Sequence, residues 1–180
     1  MKVFLSYALS LGGLGFVIAS VIGATVVNLS YPAARLQLLQ MVGFSLNKAE
    51  IMCRTKRGTF YEAIGAAIKI GAMTQTTDPQ IIASATRPSY DAGCLPVTQH
   101  WKKLFGRGKK GIVLAIAGLG VAIGVKTSPI LHIIVVVLSA VAAGWFLYTR
   151  SENQRSLMLA RAEILPAVEQ AFAAGRYVRY

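Results

Sequence analysis

Acidic residues are scarce in this sequence. Of 180 residues only 7 are Asp or Glu, against 19 Lys or Arg, and no acid occurs between Asp91 and Glu152. Charged residues of both signs make up 14% of the chain, where a soluble domain carries roughly 25%. That deficit excludes the solvated, charge-rich surface of an ordinary soluble protein. Two cysteines, with no Cys-x-x-Cys pair, exclude a disulfide-stapled scaffold. Two histidines, apart from each other and from the cysteines, leave no metal-ligand cluster. No internal repeat or low-complexity tract is visible. Apolar residues are plentiful, at 54% with a mean hydropathy of +0.54, which excludes intrinsic disorder. The class left is a basic, all-α integral membrane protein.

The apolar residues fall in three blocks. No charge occurs between Lys2 and Arg35, a run of 32 positions. Residues 3–28 of this run predict the first transmembrane helix, roughly 39 Å long against a hydrocarbon core of about 30 Å. Residues 111–125 predict the second; at about 22 Å it is short, and Lys110 and Lys126 can lengthen it by snorkelling. Residues 130–148 predict the third. Lys126-Thr127-Ser128-Pro129 joins the last two as a turn, making a helical hairpin. The first helix competes with a secretory signal, but its apolar stretch exceeds the usual 7 to 15 residues and no A-x-A site closes it. It is expected to be retained.

Charge placement gives an orientation. Residues 30–110 carry twelve cations and four acids, and residues 149–180 carry five arginines and three acids. The positive-inside rule then puts the 30–110 loop and the 149–180 tail in the cytoplasm, with the N-terminus and hairpin tip outside the inner membrane. Trp101 and Phe105, among Lys102, Lys103, Arg107, Lys109 and Lys110, precede the second span, and Trp145, Phe146 and Tyr148 close the third ahead of Arg150. These residues predict a membrane-interface girdle able to contact anionic lipid headgroups.

The loop is expected to be largely helical. Asn28 and Ser30 are candidate caps, with Pro32 at a first helical position. Leu36, Leu39, Val42 and Leu46 predict one helix from Ala33 to about Arg57. Phe60, Ile64 and Ile68 stripe a second over residues 59–73, which either lies in the membrane interface or packs on the first. Residues 74–97, rich in Thr, Pro, Ser, Asp and Gly, predict a loop with one short turn of helix at 80–85. In the tail, Ser151 and Gln154 form a capping box opening an amphipathic helix. Leu157, Ile164, Val168 and Phe172 stripe that helix, Pro166 kinks it and Gly175 ends it.

Gly106-x-Gly108-x-x-Gly111 matches the dinucleotide fingerprint by letter, but no strand precedes it and no acid follows at the required distance. Asn28-Leu29-Ser30 is a glycosylation sequon by letter alone. The basic residues flank apolar spans and form no recognition helix, so nucleic acid is not an expected partner. His132 lies near the outer end of the third span. No nucleophile–base pair, carboxylate pair or metal cluster exists, so neither enzymatic activity, a cofactor nor a small-molecule substrate is expected.

Small residues dominate the spans. Gly12 and Gly15 in the first and the Gly120-x-x-x-Gly124 pair in the second are expected to pack helix against helix, with other membrane subunits or with copies of the chain. These features predict a non-enzymatic subunit of a transport machine of the secretion, conjugation or pilus-assembly type. The order of spans, long cytoplasmic loop and cytoplasmic tail resembles the proton-channel subunits of the flagellar stator and Tol/Exb families. That likeness is one of topology, and it implies an ion- or proton-channel subunit as the alternative. A holin-like pore protein shares the orientation but usually has a shorter loop.

Overall fold

The computed structural model describes residues 1–27, 29–126 and 128–177. Among these the chain is all-helical, with no strand: α1 (Lys2–Val27), α2 (Tyr31–Phe44), α3 (Leu46–Thr55), α4 (Phe60–Thr74), α5 (Pro79–Gly124) and α6 (Ile130–Ala173). Asn28, the candidate cap and sequon residue, and Thr127 of the expected hairpin turn lie outside the described residues. Two segments are long and apolar enough to cross a bilayer, those beginning at Lys2 and at Ile130. The apolar part of α5 is cut short by Arg107, Lys109 and Lys110.

The helices divide between two compact units. The first joins Met1–Val26 to Trp101–Ser151. Its inward positions follow a 3–4 spacing on every helix. On α1 they are Ser6, Ser10, Gly13, Val17, Ser20 and Ala24. Gly111, Ala115, Gly118 and Ala122 are buried on α5, and His132, Val135, Ser139, Phe146 and Thr149 on α6. Such a repeat keeps one seam of each helix against its neighbours. The seam is narrow because its side chains are small. A Cβ at Gly13 would lie 2.5 Å from the carbonyl oxygen of Gly111 and 2.6 Å from the amide nitrogen of Ala115, and one at Gly118 would overlap Ser10 Oγ. Glycine is required there by close backbone approach. A Cβ at Gly23 would meet Leu104, so α1 and α5 run antiparallel.

The outward side chains of this unit are large and apolar. Phe4, Leu11, Phe16, Ile18, Ile22, Val113, Ile116, Ile123, Ile134, Val137, Leu138 and Val141 are all exposed. The inner hydroxyls mostly bond back to their own helix: Ser6 Oγ donates to Val3 O at 2.8 Å, Ser20 Oγ to Phe16 O at 2.9 Å and Thr149 Oγ1 to Phe146 O at 2.9 Å.

The second unit comprises Val27–His100 and Glu152–Tyr180 and buries a conventional apolar core. Leu38, Leu46, Ile64, Ile68, Ile82, Tyr90, Ile164 and Val168 are fully buried within it. The Phe60, Ile64, Ile68 stripe on α4 is buried here, so packing is observed rather than an interfacial position. Thr59 Oγ1 accepts from Tyr61 N at 3.3 Å, while Glu62 reaches back to accept from Gly58 N at 2.8 Å. These reciprocal bonds fix the start of α4.

Four local expectations change. The single helix expected from Ala33 to Arg57 is broken at Ser45, whose extended backbone (φ −164°, ψ 121°) both ends α2 and opens α3. Ser30 occupies a cap position but makes no side-chain capping bond. The loop expected over residues 74–97 is helical from Pro79 onward. Asp78 Oδ1 accepts from Gln80 N at 2.8 Å and Pro79 stands in the first turn, which together start the helix. Ile82, Thr86, Tyr90, Gly93 and Val97 then bury one face, and that packing outweighs the cost of Pro88 and Pro96 inside it. Finally, α6 runs unbroken through Ser151 and Gln154 and through Pro166, so Ser151 opens no helix. Nothing between Tyr148 and Ser151 can break one. Gly175 does end it, at φ +67°. Gln75 after α4 and Lys126 after α5 also take left-handed backbone, at φ 56° and 55°.

Candidate functional site

The 8 cations of the first unit (Lys2, Lys102, Lys103, Arg107, Lys109, Lys110, Lys126 and Arg150) share it with no acid, because all 7 acids of the chain belong to the second unit. There each acid has a partner. Glu163 pairs with Arg35 and accepts from Tyr31, Glu169 with Arg87 at 3.1 Å, Asp91 with Arg161 at 3.0 Å and Glu50 with Arg54 at 2.6 Å. Glu152 lies 4.0 Å from Arg155, and Glu62 and Asp78 accept the backbone bonds described above. The cations of the first unit make no ion pair among the described residues.

Phe105, expected with Trp101 at the membrane interface, is the centre of a cluster whose partners on α6 the sequence did not indicate. Lys109 Nζ lies 4.6 Å above its ring and the Arg150 guanidinium 5.2 Å from it. Phe146 stacks on it at 5.8 Å, and Trp101 lies 5.8 Å from Phe146. Of the expected girdle residues, the structure thus gathers Trp101, Lys109 and Arg150. It leaves Lys102, Lys103, Arg107 and Lys110 exposed, with Trp145 on a different face from its neighbour Phe146. The identifying signal was spacing: Trp101, Phe105 and Lys109 recur every four residues on α5, one helix face. Beside this cluster a narrow groove runs between α1, α5 and α6, with an accessible lining that is wholly apolar. Ser20, Gly108, Ala142 and Ala143 leave it open by their small size, and Lys109 stands at its edge.

The four glycines expected to pack helices all face outward. Gly12, Gly15, Gly120 and Gly124 have open space where a side chain would stand. Internal packing falls instead to Gly13, Gly111 and Gly118. The outer face of α1 is itself a small-residue stripe, with Ala8, Gly12, Gly15 and Ala19 all exposed at 4–3–4 spacing. Ala117, Gly120 and Gly124 repeat the arrangement on α5, and Ala140 and Gly144 on α6.

Three buried polar groups in the first unit have no hydrogen-bond partner among the described residues: Ser10 Oγ, Ser139 Oγ and both nitrogens of His132. The His132 ring is fully buried and lies 4.9 Å from that of Tyr7. No group of three His, Cys, Asp or Glu that could hold a metal exists among the described residues.

In the second unit both cysteines are free. Burial first, then Glu50, pushes the Cys53 thiol up to about 12. Burial also raises Cys94, aided by Asp91 and opposed by Tyr90 and Arg161. Neither is an activated nucleophile. Burial likewise raises Tyr90, whose hydroxyl donates to Leu157 O at 2.6 Å. A groove of this unit, between α5 and α6, is lined by Pro88 and Pro166 and by the paired Arg87 and Glu169. It holds no nucleophile with a base beside it. No protein-family model, curated protein or solved structure matches the chain.

Proposed function

We propose that the chain is a multi-pass inner-membrane protein with three spans: α1, residues 111–124 of α5 and residues 130–148 of α6. It acts without catalysis, as a subunit of a transport machine of the secretion, conjugation or pilus-assembly type. The observation that carries this reading is the outward stripe of small residues on α1, with its counterparts on α5 and α6. Large apolar side chains around these stripes suit lipid. The stripes suit another helix, because close approach is what associates helices where water gives no drive. Orientation follows from the cations: residues 101–110 and Arg150 mark the cytoplasmic end, with Lys2 and the hairpin tip outside.

The test uses Gly12→Leu with Gly15→Leu. Since nothing occupies the space beside either glycine, the double variant keeps its own fold and loses its partner. Purified in mild detergent, the wild-type chain is expected to run as an oligomer or with co-purifying subunits, and the variant as a monomer of 19.3 kDa plus detergent. A wild-type chain that is monomeric and alone refutes the reading.

A second reading, an ion- or proton-channel subunit, is favoured by His132 and by the hydroxyls of Ser10 and Ser139, buried without partners in the first unit. An intramembrane ionisable group is functional by default. Proton flux into vesicles, with and without co-expressed partners, separates the two: flux that His132→Leu abolishes supports the channel, and silence in both preparations excludes it.

A further inference from the structure

Resting on the membrane reading, we propose that the groove beside Phe105 is a binding site for one anionic phospholipid. An acyl chain lies between Gly108 and Ala142–Ala143, and the phosphate bridges Lys109 and Arg150. Lys109 lines the groove together with Ala142 and Ala143. Ala142 is six residues inside the end of the apolar run at Tyr148, so about 9 Å from it along the helix. Trp101 and Phe105 stand on the cytoplasmic side of Lys109 in the same helix. The aliphatic stem of Lys109 thus borders the apolar groove while its ammonium turns back over the Phe105 ring, at the level of the aromatic belt.

Among the described residues no acid of the chain pairs with Lys109. The first unit contains no acid, and neither Lys109 nor Arg150 makes an ion pair among the described residues. Both cations instead flank one aromatic ring, at 4.6 and 5.2 Å. That ring, itself part of the groove lining, gathers both cations beside it while leaving their hydrogen-bond donors free for an anion. The groove is small, about 30 Å³, so it seats one edge of an acyl chain lying along its apolar surface, and a phosphate suits the two cations gathered at Phe105. A lipid with a net-neutral headgroup would bring its own ammonium to the same two cations, so a net anionic headgroup is preferred.

The test reconstitutes the full chain, carrying Trp145→Phe, in phosphatidylcholine vesicles. These are doped with an equal mole fraction of either phosphatidylglycerol or phosphatidylcholine bearing brominated acyl chains. Trp101 is then the sole tryptophan, one ring removed from the groove through Phe146. Phosphatidylglycerol should quench it with an apparent preference of about fivefold or more, from about 1 kcal/mol per cation near the surface. Lys109→Gln with Arg150→Gln should bring the preference to about one. Ala142→Leu, which fills the groove and keeps both cations, should weaken quenching by both lipids. Lys102→Gln with Lys103→Gln should leave the preference intact.

Equal quenching by the two lipids in the wild-type background overturns the site, as does a preference that survives loss of Lys109 and Arg150. A preference that falls equally with Lys102 and Lys103 also overturns it, in favour of diffuse surface charge. Failure of the protein to float with vesicles overturns the membrane reading itself, and is seen before any quenching is measured.

Discussion

The second unit buries Leu38, Ile64, Ile68, Tyr90 and Ile164 and spends its acids on arginines at the surface. The first unit buries Ser6, Ser10, Gly13, Gly118 and His132 and turns Phe4, Ile18, Val137 and Leu138 outward. Composition separates them only in part: all 7 acids lie in the second unit and the longest apolar runs in the first, yet both are helical and both carry many aliphatic residues. What differs is which side of the helix those residues occupy. In water the hydrophobic effect pulls them inward. Where the surroundings are themselves apolar, that pull vanishes and close packing of small residues takes over. The inversion is compatible with lipid around the first unit, beside a second unit built as a protein in water is built.

Substitution of aliphatic residues is the hardest test of this contrast. Ile64→Ala, in the core of the second unit, should cost about 2–5 kcal/mol as transfer and cavity terms add, read as a drop in thermal or denaturant midpoint. Leu138→Asp changes a residue that is already exposed. If its surroundings were water the effect would stay within about 0.5 kcal/mol. In lipid the insertion cost is about 2.5–3.5 kcal/mol, visible as loss of membrane-inserted protein. A fully inserted and stable Leu138→Asp variant would break the contrast outright.

Next in size come the two faces of α1. Gly13→Val forces a side chain onto backbone atoms of α5 and should cost about 1–3 kcal/mol or more by overpacking. Gly12→Val, its immediate neighbour, should leave the melting temperature of the isolated chain unchanged. Smaller again is His132→Leu. Removing a buried imidazole with no hydrogen-bond partner should be neutral or raise the melting temperature, since the desolvation penalty of the ring disappears. Marked destabilisation would mean that the ring has a partner in the functional assembly.

The smallest effect is on the thiols. In the native chain Cys94 should react with maleimide before Cys53, whose labelling should await unfolding. The raised Cys53 also has a sign. The unfolded thiol ionises near its ordinary value of about 8.5 while the folded thiol holds its proton to about 12. This contribution to stability is thus complete below pH 8.5 and is lost as pH rises toward 12. A Cys53→Ala variant should show a flatter alkaline limb in its stability–pH profile.

Much of this architecture was legible beforehand. The extent of α1, the buried stripe on α4 and the stop at Gly175 follow from periodicity and end signals that act within a few residues. Residues 74–97 were not legible, because Pro88 and Pro96 argue locally against a helix that Ile82, Tyr90 and Val97 impose through contacts far away in sequence. The small residues show the same limit. Spacing marked Gly12, Gly15, Gly120 and Gly124 as packing positions, yet only tertiary structure separates Gly13, which packs within the chain, from Gly12, which is left over. Phe105 was legible as an interface aromatic, but its pairing with Phe146 and Arg150 was not, because another helix contributes both.

Gln75 and Lys126 close α4 and α5 in left-handed backbone, where glycine is the usual choice because a Cβ costs about 1 kcal/mol. Both are exposed, so neither side chain is held there by packing. For anyone preparing this protein for crystallisation or cryo-microscopy, these two helix ends are a reserve of tolerance. Glycine at either position relieves the strained turn without touching the outer stripes, the basic girdle or His132. Destabilising changes elsewhere can then be carried in a background that still folds.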